Sequence, residues 1–177
     1  YAADLDAARG YGAVASNNSW GLTDIANTSL LDATEVQTLI DNNPSVSVDQ
    51  IMAFKTMNNI NRTSEWGQYI TALNNFQNNG VIVFANGNYY ESGNSDSSFL
   101  AALPKWYSQL KDAWLSVAYA DFTGSSIASA SESEFVMKGN KCGSSKEWCL
   151  TVDDYIVNGA KHYDGISNYF LGGGGSS

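Results

Sequence analysis

From Ser64 to Asn79, apolar side chains recur at Trp66, Tyr69, Ile70, Leu73 and Phe76. That spacing places them on one face of a helix. Ser64 is a candidate cap, and Asn78-Asn79-Gly80 closes the segment. An unbroken apolar run, Val81 to Ala85, follows at once. A helix, a glycine and then an all-apolar strand predict an α/β unit whose parallel sheet is buried on both faces. Other stretches are shorter. Residues 1–9 read as the body of a helix with no preceding cap, so the chain is expected to start mid-domain. Gly10 and Gly12 stop that helix, and Ala13 to Asn17 follows as a short strand. Short helices are expected near 33–41 and 48–57, separated by Pro44. Residues 89–99 read as a polar loop, 101–111 as including a helical turn, and Trp114 to Tyr119 as the next strand. A Ser-rich loop over 121–134 and a short strand at Asp154–Val157 complete the pattern. No internal repeat or domain boundary interrupts it.

A chain of 177 residues suits one domain with a real core. Charged residues make up only 15%, and Asn, Ser, Thr and Gly carry the polar balance, as in a loop-rich domain. The net charge of −9 and the lack of a basic stripe argue against nucleic acid as a partner. No apolar run reaches the roughly 18 residues that a membrane span needs.

Cys142 and Cys149 are the two cysteines, with six residues between them. A lone pair with no histidine beside it makes a poor zinc site, and the spacing closes a small disulfide loop. A disulfide favours an oxidising compartment. The sequons at Asn17, Asn27 and Asn61 are short matches that arise often by chance. Asp153, Asp154 and Asp164 lack the spacing of a calcium loop and read as solvated acids. No cofactor is expected and no metal site is read from this sequence, which leaves calcium dependence open, and His162 reads as a surface loop residue.

Three segments carry a resemblance in order along the chain. VASNNSWG (14–21) resembles the strand-and-exit motif of the subtilisin-like serine proteases, the subtilases. FANGN (84–88) resembles their Ala-Gly-Asn motif, and WLSVAYAD (114–121) the strand that follows it. CGSSKEWCL and NNSWG look most like the bacterial autotransporter-type branch. The resemblance implies a three-layer α/β sandwich with a mainly parallel central sheet, of which residues 1–177 would be a single incomplete portion. It implies serine endopeptidase activity through an acyl-enzyme on a polypeptide substrate, and a location secreted or at the bacterial cell surface.

Residue by residue, the resemblance makes Asn88 the oxyanion-hole donor. Ser19, Trp20 and Gly21 become one wall of the substrate pocket, and Ala85, Asn86 and Gly87 the other. Asn86 stands where the family commonly has a smaller residue. Gly175-Ser176-Ser177 matches the nucleophile motif with Ser176 in place of Thr, which makes Ser177 the candidate nucleophile. A GGGGSS tail also resembles a flexible linker. CLTVDDYIV lacks the Ala-Pro-Gly element often found at that point. The catalytic Asp and His of the family precede the SNNSWG motif, and neither motif is here. The missing upstream part of the same domain is therefore an expected partner, and this chain alone is expected to be inactive. Beside this stand plainer readings. Asn86-Gly87-Asn88 also fits a turn after a strand, and Trp20 a core aromatic. The whole chain also fits a catalytically dead relative that binds peptide, or an unrelated α/β domain holding a small molecule at the sheet's carboxyl edge.

Overall fold

The computed structural model describes residues 1–22, 31–88 and 96–153. Four helices precede most of the sheet: α1 (Ala2–Gly10), α2 (Ala33–Asn42), α3 (Val48–Met57) and α4 (Thr63–Gln77). The strands are β1 (Ala15–Asn18), β2 (Val81–Ala85), β3 (Trp114–Phe122), β4 (Phe135–Met137) and β5 (Cys149–Asp153). β1, β2 and β3 lie side by side and parallel. β5 runs parallel along Ser116–Ala120 of β3, and β4 runs antiparallel along Ala120–Phe122. The result is an α/β fold with a mixed, mostly parallel sheet. No described helix is long and apolar enough to cross a membrane.

Local sequence explains most of the helices. Asp32 caps α2 through a capping box with Glu35, and Ser47 caps α3 through one with Gln50. Each box satisfies two backbone N–H groups that a helix start leaves unpaired. The expected cap at Ser64 is not used. α4 begins one residue earlier, with Arg62 at the cap position and no side-chain cap bond. Burial of Trp66, Ile70, Leu73 and Phe76 holds it instead.

Alternate positions of the strands share a face. One face presents Ile82 and Phe84 of β2 with Trp114 of β3, all buried in one core with α4, Met52 of α3, Val36 of α2 and Phe99–Leu103. Phe84 stacks on Trp114 with ring centroids 5.0 Å apart. The indoles of Trp114 and Trp148 both donate to the Ala101 carbonyl, at 3.1 and 2.9 Å. Tyr107 accepts from the Trp66 indole at 2.7 Å and donates to Asp49 at 2.6 Å.

The other face differs from the expectation. Val81, Val83, Leu115 and Val117 are only half-buried there, and Leu150 and Val152 are 53% and 43% exposed. The run Val81–Ala85 is therefore buried fully on one side only. Two smaller corrections follow from pairing. β3 extends to Phe122 because β4, which sequence reading did not anticipate, pairs with its end. The helical turn expected within 101–111 is present as two 3₁₀ turns, Leu103–Lys105 and Ser108–Leu110. Asp153 ends β5 opposite Ala120 and is not in a loop. The expected strand at Asp154–Val157 lies outside the described residues.

Candidate functional site

β1 and β2 are registered so that Asn18 lies beside Phe84. Their carboxyl ends therefore leave the sheet together, Ser19–Gly21 from one and Ala85–Asn88 from the other. Asn18 fastens the pair: its Nδ2 donates to Val83 O at 3.1 Å and back to Ser16 O at 3.2 Å. Ser19 and Gly21 are exposed. Trp20 is half-buried, stacked on Tyr1 at 5.1 Å and edge-on to Phe84 at 5.9 Å. It thus packs against the core while its neighbours face solvent.

Three consecutive residues leave β2 in different ways. Asn86 N–H donates to Val117 O at 2.8 Å, extending the β2–β3 ladder by one bond, and Ser98 N–H donates to Asn86 O at 2.8 Å. The Asn86 side chain points inward and is fully buried. Its Nδ2 donates to Lys141 O at 3.4 Å and lies 3.2 Å from Cys149 Sγ, while its Oδ1 accepts from Ser145 Oγ at 3.2 Å. Gly87 sits at φ +111°, a conformation that an L side chain avoids, and its carbonyl accepts from Asn140 N–H at 2.9 Å. Asn88 comes next and is exposed. The chain turns at Gly87, so of the two asparagines one serves the interior and the other is presented outward.

Cys142 and Cys149 form a disulfide, with Cα atoms 5.7 Å apart. The loop it closes lies under the β2 exit and is held by Asp96, whose role sequence reading missed. Asp96 is nearly buried and accepts four close bonds. Oδ1 takes Ser97 N–H at 2.8 Å and Ser144 N–H at 2.6 Å, and Oδ2 takes the hydroxyls of Thr34 at 2.8 Å and Ser144 at 2.7 Å. Burial pushes its pKa up, but the bonds from Ser144, Thr34 and Ser97 outweigh burial and hold the carboxyl below its ordinary value. Asn140 Nδ2 donates to the Asp96 carbonyl at 2.6 Å. Asp32 moves the opposite way: burial, then the neighbouring Glu35 and Asp96 charges, raise it. The available signal was Gly143-Ser144-Ser145, a glycine followed by two hydroxyls opening a 3₁₀ helix over Gly143–Trp148.

The structure thus brings Ser19–Gly21 and Ala85–Asn88 to one edge of the sheet. Ser177, His162, Asp154, Asp164 and Asn27 lie outside the described residues. Asn17 and Asn61 are exposed. Among the described residues, no three His, Cys, Asp or Glu side chains gather as a metal site. No family model, curated protein or solved structure matches the chain.

Proposed function

We propose that this chain is the later part of a subtilisin-like serine endopeptidase domain. The carrying observation is the shared exit of two adjacent parallel strands, with Ser19–Gly21 beside Ala85–Asn88 and Asn88 presented outward. An extended peptide laid between two such exits gains main-chain hydrogen bonds with little sequence demand. Ser177 Oγ then attacks the scissile carbonyl, and a histidine supplied by upstream sequence takes its proton. Negative charge builds on the carbonyl oxygen. The Asn88 side-chain N–H and the Ser177 backbone N–H stabilise it. Collapse expels the amine with that proton, and water hydrolyses the acyl-enzyme.

Asn86 takes a different part in this proposal from its neighbours. Its polar groups are engaged inside the protein, so it shapes the wall by holding the disulfide loop beneath Ala85 and Gly87. The half-buried apolar face of Val81, Val83, Leu115 and Val117 also supports a three-layer sandwich, because a second helical layer is what such a face needs.

The test uses this chain joined to the segment that supplies His and Asp. A fluorophosphonate probe is expected to label Ser177 there and to leave the 177-residue chain unlabelled. Asn88→Ala should lower kcat by about 10²–10³-fold with little change in KM, a magnitude borrowed from subtilisin and not worked from this chain. Labelling that survives Ser177→Ala would sink the proposal. Peptide binding without any labelling would favour a catalytically dead, peptide-binding relative.

A further inference from the structure

A second concave surface shares no residue with the strand exits. It is an open groove of about 600 Å³, with Lys105, Lys111, Lys146, Ser144, Glu147 and Trp148 in its lining. Thr34 and the buried Asp96 also line it. The volume falls within the range of about 300–1,000 Å³ typical of ligand sites. Its charge runs against the rest of the molecule. Three of the nine basic residues meet here, against Glu147 and Asp96, in a chain of net charge −9.

Lys105 and Lys111 come from separate turns, and each reaches a residue of the 3₁₀ helix Gly143–Trp148. Lys105 Nζ lies 3.2 Å from Ser144 Oγ and 5.4 Å from the Trp106 ring centroid, and neither partner carries a charge. Lys111 Nζ lies 3.2 Å from Glu147 and 5.7 Å from the Trp148 ring centroid. Ser144 and Glu147 are three residues apart on the 3₁₀ helix, one turn, or about 6 Å of rise. Carboxylates on alternate residues of an extended peptide are separated by about 6.6 Å. The Lys111–Glu147 pair is exposed, so an incoming carboxylate can replace Glu147 at little cost. Trp148 supplies a fixed apolar wall, because its indole is anchored on Ala101 O.

We propose that this groove binds an extended acidic peptide segment with carboxylates on alternate residues. Lys105 and Lys111 receive successive carboxylates, and Lys146 adds to the local field. A nucleic acid fits less well, because the net charge of −9 repels a long polyanion. The proposal is independent of the protease reading.

Fluorescence anisotropy with the 177-residue chain tests it. The probe is a fluorescein-labelled peptide of alternating Glu and Ala. At low salt it should bind saturably and quench tryptophan emission, and about 0.2 M salt should weaken it severalfold. Lys105→Gln and Lys111→Gln should each weaken binding by about two- to fivefold, the span of an exposed ion pair. The triple change with Lys146→Gln should weaken it by about tenfold or more, while Lys55→Gln leaves it unchanged. Lys105, Lys111 and Lys146 are exposed, so their substitution leaves the core intact, and circular dichroism checks the fold of every variant. Three results each overturn the proposal: no saturable binding, a triple variant that binds like the Lys55→Gln control, or an oligonucleotide of equal charge that binds as tightly as the peptide.

Discussion

Asp96 offers the sharpest test of how the β2 exit is held. In Asp96→Ala, two backbone N–H donors and three hydroxyls lose their acceptor. The Ser97 N–H is fully buried, and the Ser144 N–H is partly so. An unsatisfied buried donor costs about 1–3 kcal/mol. Taking about 1.5 kcal/mol for each N–H gives about 3 kcal/mol, because the hydroxyls can turn to other acceptors. In a domain of this size, that corresponds to a fall in Tm of about 6–12 °C. Asp96→Asn should be far milder. Its carbonyl oxygen can still take both N–H groups at the Oδ1 position, and its NH₂ can face Thr34 and Ser144 hydroxyls rotated to accept. Only the charge assistance goes, about 1 kcal/mol. The sign with pH follows from the depressed pKa. The carboxylate's contribution is fully present above the unfolded value near 3.8 and is lost as pH falls through the lower folded value. Thermal melts should therefore rank wild type above Asp96→Asn above Asp96→Ala at pH 7. The gap between wild type and Asn should begin to narrow as pH falls below about 4 and close only below the lower folded value. Equal melting of all three, or a gap that widens in acid, would refute the reasoning.

Two further substitutions probe the same loop. Gly143 has φ +43°, and a Cβ there meets Asp96 Oδ1, so Gly143→Ala should lose about 2–4 kcal/mol by denaturant titration. Paired Cys142→Ser and Cys149→Ser changes remove a cross-link with a sequence separation of 7 and should lower stability by about 2.5 kcal/mol in the same titration.

Sequence and tertiary structure determined different parts of this protein. The face of α4, the strand Val81–Ala85 and the disulfide were legible because each rests on near neighbours. A 3.6-residue repeat, an apolar run and a short cysteine spacing are local facts. The capping boxes at Asp32 and Ser47 are equally local, each closed between residues three apart. Reading failed where distant segments compete for the same group. Ser64 was a plausible cap, but packing of Trp66 and Ile70 set the start of α4 instead. β4 is only three residues long and exists because β3 offers it an edge.

The site shows the same division. Asn86 and Asn88 are one residue type, two positions apart, and no local rule assigns them opposite fates. The fully buried Asn86 is chosen by Lys141, Ser145 and Cys149, and Gly87 then turns Asn88 outward. Asp96 stood in what read as a polar loop. It became a buried carboxylate only because Thr34 and Ser144, 62 and 48 residues away, close around it. Local periodicity thus decided which segments form helices and strands. Burial and hydrogen-bond satisfaction, which join residues far apart in the chain, decided which polar groups serve the interior and which face outward.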